Sequence, residues 1–251
     1  MTASLTLNLS LLAGRYGRGV RVAIIDSGIA HGHPHVGPVG AGVWIRDEGV
    51  HTDTRDRLGH GTAVAAVIRE KAPAAELIPV RVFDHALATT SAVLAEAIHW
   101  SAQAGARLVN LSLGTQNEGH HELLEEALRF ATAQGCIVVA AAATNGEPCL
   151  PGSLEGAVGV LAADCPRDAM VVPETLGTPL GASPFPRPIP GVPAEANLAG
   201  VSFAVANATG LIARVLEAAP DIRTAAGVRE RLARLAVPEG MGLEGNRGGP
   251  I

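Results

Sequence analysis

Short, continuously apolar runs alternate along this chain with longer segments of helical pattern, and that alternation restricts the fold more than any other feature. Val20 to Ile25, Leu77 to Phe83, Leu108 to Leu113 and Cys136 to Ala142 read as strands covered on both faces. Between and beyond them lie helices: Thr62 to Ile68, entered through Gly61; Ser91 to Gln103, with Ser91 as N-cap and Gly105 as stop; and Glu122 to Gln134, closed by Gly135. Ser202 to Ala218 and Thr224 to Ala236 follow. Strands separated by helices imply an α/β fold with a mostly parallel sheet and helices on both faces.

A chain of 251 residues, 47% hydrophobic and 17% charged, can bury one large core, and with only 3% aromatic residues that core must be packed by Ala, Val, Leu and Ile. The net charge of -5 comes without a long acidic or basic run, which argues against nucleic acid as a partner. Cys136, Cys149 and Cys165 are an odd number, so at least one stays unpaired within the chain and a reducing compartment is expected. Residues 1–12 lack a basic start, and Thr, Asn and Ser interrupt their leucines, so residues 1–17 are expected to be an arm lying on the domain rather than a signal peptide. The domain itself is expected over 18–237, with a Gly- and Glu-rich tail over 238–251. No stretch approaches the roughly 20 apolar residues of a membrane span. The expectation is a cytoplasmic protein with no membrane partner.

Three segments carry chemistry: Val22-Ala23-Ile24-Ile25-Asp26-Ser27-Gly28, Gly59-His60-Gly61-Thr62 and Gly200-Val201-Ser202-Phe203-Ala204. Each alone has a plain structural reading, as a loop cap, a turn histidine and a helix N-cap. Together they supply an acid, a base and a nucleophile in an order known for serine hydrolases. A serine hydroxyl becomes nucleophilic when a neutral imidazole takes its proton, and a buried carboxylate holds that imidazole in the right tautomer. Asp26 and Asn145 follow strands at the carboxyl edge of the sheet, where such sheets bind ligands, and His60 and Ser202 begin helices facing the same edge. A helix N-terminus there offers free N–H groups to a developing oxyanion.

Asp26-Ser27-Gly28-Ile29 followed by His33-Pro34, then His60-Gly61-Thr62, Val109-Asn110-Leu111-Ser112-Leu113-Gly114, Val138 to Gly146 and Ser202-Phe203-Ala204 resemble the motifs of the subtilase family over roughly residues 18 to 218. The resemblance implies the subtilisin-like three-layer α/β fold and peptide-bond hydrolysis. It implies Asp26, His60 and Ser202 as the triad and Asn145 as the oxyanion-hole amide. Asn145-Gly146 is also a strong turn signal, and the two roles are compatible. The resemblance further implies that an extended peptide lies beside Ser112, Leu113 and Gly114, with a second edge near Leu87, Ala88 and Thr89. Cys149 then falls at the floor of the S1 pocket, although a plain core cysteine is the alternative reading.

The chain departs from the family pattern at Val201, Phe203 and Ala206, where the family has threonine, methionine and proline, and at Thr144, where it has glycine. The compact connection Arg69 to Pro73 leads to the expectation of no calcium loop, and with the first motif about 20 residues from Met1 no propeptide is expected. No cofactor or metal is expected: the tract His31-Gly32-His33-Pro34-His35 has no thiol or carboxylate ligand near it in sequence, and His120-His121-Glu122 reads as a solvated helix start. Prolines at 173, 179, 184, 186, 188, 190 and 193 suggest a semi-rigid wall leading to Ser202.

Two classes of function follow. One is a selective processing peptidase acting on a precursor peptide with a leader or on a partner protein, similar to the small subtilases of peptide-maturation clusters, including the one that accompanies quinohemoprotein amine dehydrogenase biogenesis. The other is a non-catalytic module that keeps the groove and only binds peptide.

Overall fold

In the computed structural model, which describes residues 5–193 and 196–238, the apolar runs form the middle of one large sheet. The strands in chain order are β1 (Leu5–Leu7), β2 (Arg21–Asp26), β3 (Val43–Arg46), β4 (Gly49–His51), β5 (Glu76–Arg81), β6 (Leu108–Leu111), β7 (Ile137–Ala141), β8 (Ala143–Thr144), β9 (Glu147–Pro148), β10 (Val158–Ala162), β11 (Met170–Val172), β12 (Leu180–Ala182) and β13 (Ala236–Pro238). The helices are α1 (His60–Lys71), α2 (Ser91–Gln103), α3 (His121–Ala133), α4 (Val201–Ala218) and α5 (Ala225–Leu235). Among the described residues the sheet has eleven strands in the order β13-β1-β11-β12-β10-β7-β6-β2-β5-β3-β4, and β8 and β9 form a separate hairpin.

From β12 to β3 every neighbouring pair is parallel. Antiparallel pairs add β4 at one side and β11, β1 and β13 at the other. Helices α1, α4 and α5 pack on one face with Val22, Ile24 and Val139, while α2 and α3 pack on the other with Ala23, Ile25 and Val138. Burial on both faces explains why these strands read as unbroken apolar runs, and each fully buried Val or Ile contributes about 1.5–3 kcal/mol. Helix α4 is long and apolar enough to cross a membrane, but 72% of it is buried inside the protein.

The structure shifts several sequence expectations. Thr90, not Ser91, caps α2, its hydroxyl accepting from Val93 N–H at 3.2 Å. The helix expected from Thr62 starts at His60 and runs on to Lys71, and only Ala72 to Ala75 separate it from β5. β6 stops at Leu111, which leaves Ser112, Leu113 and Gly114 outside the ladder until Thr115 bridges to Leu150. Residues 5–7 of the expected arm are a strand inside the sheet, between β11 and β13. Of the expected tail, only Pro238 lies within the described residues.

Candidate active site

The carboxyl edge of the parallel strands gathers the chemistry-bearing residues. Asp26 ends β2 fully buried, and its Oδ1 accepts from Ser27 N–H at 2.7 Å. His60 opens α1 and sets its Nδ1 2.8 Å from Asp26 Oδ1 and 3.0 Å from Oδ2. An ionised carboxylate only accepts, so the Nδ1 proton faces Asp26 and Nε2 is left as the basic nitrogen. This approach needs Gly61, because a Cβ there would stand 2.2 Å from Gly28 O and 3.1 Å from Asp26 Oδ1.

Burial alone would lower the His60 pKa, but the hydrogen bond to Asp26, the Asp26 charge and the charge of nearby Asp56 outweigh it and raise the value above that of a free imidazole. Asp56 was not singled out from the sequence. It sits four residues ahead of His60 and is half-buried, accepting a hydrogen bond from the Ser27 hydroxyl. An acidic residue in the turn before a histidine-bearing helix was the available signal.

Ser202 is the second residue of α4. Its Oγ donates to Ser112 O at 3.1 Å, while Ser112 Oγ donates back to Ser202 O at 3.3 Å. Behind them lies a buried relay: Thr209 Oγ1 donates to Asn110 Oδ1 at 3.0 Å, and Asn110 Nδ2 donates to Ser112 Oγ at 2.8 Å. Asn110 and Thr209 had no role in the sequence reading, although an asparagine inside a fully apolar strand is the mark of such a network. The Phe203 ring lies 5.8 Å from the His60 ring, centroid to centroid, so α4 begins directly against the base. The Ser202 hydroxyl is nevertheless turned toward Ser112, in the segment after β6, and the expected Ser202–His60 hydrogen bond is not made. Among the described residues the Ser202 N–H has no acceptor, as the first turn of a helix allows.

Asn145 and Gly146 are the apex of the β8–β9 hairpin, with Thr144 paired to Glu147 and left-handed φ values of 54° and 83°. That is the two-residue turn Asn-Gly favours. Asn145 is exposed there, and its side chain makes no hydrogen bond to a described residue. The neighbouring Thr144 is half-buried and hydrogen-bonds Cys149 through its side chain.

Cys149 is 3% exposed, and a Cβ on Gly114 would come within 2.6 Å of its Sγ, so it is at once a core thiol and a neighbour of the segment after β6. Burial pushes this thiol up in pKa and the Thr144 hydrogen bond partly offsets the rise. Leu113 packs half-buried on the core, whereas Leu87, Ala88 and Thr89 lie in the loop between β5 and α2, with Leu87 56% exposed and none of the three in a strand.

His31 bonds Thr54 Oγ1 at 3.0 Å and His33 meets His35 edge-on at 5.4 Å. No group of three or more metal-ligating side chains occurs among the described residues. The proline-rich segment is held on either side of Pro184 from α4, where buried Asn207 donates to Ser183 O at 3.0 Å and to Phe185 O at 3.1 Å.

A twisted parallel sheet with helices on both faces, an aspartate–histidine pair and a helix-borne serine at its carboxyl edge define a hydrolase-like α/β architecture. The family model described as the Subtilase family matches residues 17–175, and the chain belongs to that family, the subtilisin-like serine peptidases. It is 31% identical to Thermitase of Thermoactinomyces vulgaris over 229 residues, covering 83% of this chain and 80% of that protein. It is 35% identical to the Thermophilic serine proteinase of Bacillus sp. (strain AK1) over 159 residues, 58% of this chain but only 39% of that protein's length. Two solved structures share the fold: Sphericase, with TM-score 0.69 at 22% identity over 87% of this chain and 83% of that one, and the Prenylagaramide maturation protease PagA, with TM-score 0.65 at 23% identity over 88% and 85%.

Proposed function

We propose that the chain is a serine endopeptidase in which Ser202 attacks a peptide carbonyl, His60 takes its proton and returns it to the leaving amine, and Asp26 orients the imidazole. The observation that carries this is the His60 Nδ1 contact with both oxygens of a fully buried Asp26, made beside the helix that bears Ser202. Before attack the Ser202 hydroxyl must leave Ser112 O and turn to His60 Nε2, a rotation about one side-chain bond. The oxyanion that forms meets the Ser202 N–H and the Asn145 amide, which has to fold in from its exposed turn. The peptide adds as an extended segment along Ser112, Leu113 and Gly114, opposite Leu87 to Thr89, with Cys149 below its first side chain.

The substrate we favour is a precursor peptide with a leader or a single partner protein. The proline-rich segment anchored on Asn207 and the buried Phe203 against His60 support a restricted entrance. The buried thiols Cys136 and Cys149 support work in the reducing cytoplasm. Reaction of Ser202 with a fluorophosphonate, lost in Ser202→Ala, tests the chemistry, and mass spectrometry of cleaved candidate precursors against casein tests the selectivity. Unselective digestion of casein removes the second half of the proposal.

One observation favours the other reading, a peptide-binding module without turnover: the Ser202 hydroxyl is engaged with Ser112 O. A chain that binds peptides but never labels with the probe belongs to that reading.

A further inference from the structure

The carboxylate of Asp56 holds together the two pieces of backbone that bear the acid and the base. Its Oδ1 accepts from Leu58 N–H at 2.9 Å, Gly59 N–H at 2.8 Å and Ser27 Oγ at 2.8 Å. Its Oδ2 accepts from Thr62 N–H at 2.9 Å and Thr62 Oγ1 at 2.6 Å. Ser27, next in chain to Asp26, in turn accepts from Gly61 N–H at 2.9 Å, and Thr62 Oγ1 accepts from Ala30 N–H at 2.9 Å. Every residue from Leu58 to Thr62 except His60 is therefore tied to Asp56 directly or through Ser27. His60 itself is left to its contact with Asp26.

We propose that Asp56 is a positioning residue for the hydrolytic reaction, clamping the His60 turn against the Asp26 strand so that the imidazole meets its carboxylate in one orientation. The proposal rests on the reading of His60 as the general base. Five donors on one carboxylate are more than a helix start needs, since a single capping bond satisfies that role. No neutral side chain of the same size can replace it, because an amide would turn its own N–H groups toward at least one of these donors. Asp56 does not touch the reacting atoms. Its charge also acts on His60 from the preceding loop, alongside that of Asp26 from β2, and the Phe203 ring from α4 adds no charge.

The test is the rate of fluorophosphonate labelling of Ser202 as a function of pH in the wild-type chain and in Asp56→Asn. The clamp predicts a fall of about tenfold to a hundredfold, the scale of a small misplacement of a catalytic group. It also predicts that the acid-side midpoint moves to lower pH, because the imidazolium loses a neighbouring negative charge. Asp56→Glu, which keeps the charge, should restore most of the midpoint. An unchanged rate, or a fall with an unmoved midpoint, overturns the proposal. Should circular dichroism show Asp56→Asn unfolded, Ser27→Ala decides: it cuts the bridge to the Asp26 strand and keeps the cap, so labelling slowed several-fold supports the clamp and a wild-type rate rejects it. A wild-type chain that never labels defeats the reading of the site itself, an outcome separate from both.

Discussion

The acid–base side of the site and the nucleophile side are built to different degrees of readiness. Around Asp26 and His60 the carboxylate and the Nδ1 side of the imidazole are already engaged, down to the Ser27 N–H on Asp26 and the Gly61 N–H on Ser27. Around Ser202 the hydroxyl is on Ser112 O, the backbone N–H is open and Asn145 stands exposed on its turn. The expensive part of this chemistry is orienting a buried charge pair, and the fold has done that in advance. What remains open is the part a bound peptide can complete, since an extended chain beside Ser112 would compete for the same carbonyl and expose the hydroxyl to His60.

This contrast can be broken most directly at its two ends. Ser202→Ala should abolish labelling and reduce peptide cleavage by about 10⁴-fold or more, and His60→Ala should do the same, because the two act as a unit. Asp26→Asn should cost nearly as much, because the amide favours the wrong imidazole tautomer. A variant of either side that kept substantial turnover in a steady-state assay would show that the site is not the one described.

The open side is sharpened by a paired substitution. Asn145→Ala should lower kcat by about 100- to 1,000-fold with little change in KM, as expected for a bond made only in the transition state. Thr144→Ala leaves the amide in place and should cost far less. The reverse ranking would show that the half-buried hydroxyl on Cys149, not the exposed amide, faces the oxyanion.

The acid–base side also makes a pH prediction of smaller size. Its raised His60 pKa puts the acid limb of kcat/KM above the ordinary imidazole value of about 6.5. Activity should therefore rise with pH through that window as the ring becomes neutral. Stability should move the opposite way, because a raised folded pKa contributes stability that is full below the unfolded value and lost as pH climbs through the folded one. Kinetics and urea melts over the same pH series check both signs. Smallest of all, Thr90→Ala should cost about 1 kcal/mol in a denaturant melt as a lost helix cap, with labelling unchanged. A chelator should leave labelling where it was.

The same contrast governs how much was readable from the residues alone. Asp26, His60 and Ser202 stand out because each ends or opens an element whose apolar pattern is long and unambiguous. The central parallel strands were legible for the same reason. The strands β8 to β12 were not, being two to five residues long and interrupted by Gly and Pro, with no period to detect. Asp56 bonds Ser27 across 29 positions and Thr209 bonds Asn110 across 99, and only the fold brings those partners together. The Asn145 turn shows the opposite case, where a local signal was correct about shape and silent about which way the amide points.

The strand β1 has a consequence for when the protein is completed. Leu5 pairs with Pro238 and Leu7 with Ala236, so an edge of the sheet joins residues from opposite ends of the described chain. Contacts of such sequence separation close slowly and late. On a ribosome adding roughly 5–20 residues per second, Asp26 and His60 emerge first, Ser202 follows about 7 to 28 seconds after His60, and the last strand only after that. A nascent chain thus carries its base long before it carries its nucleophile, and residues 5–7 wait with one side unpaired until β13 arrives to cover them.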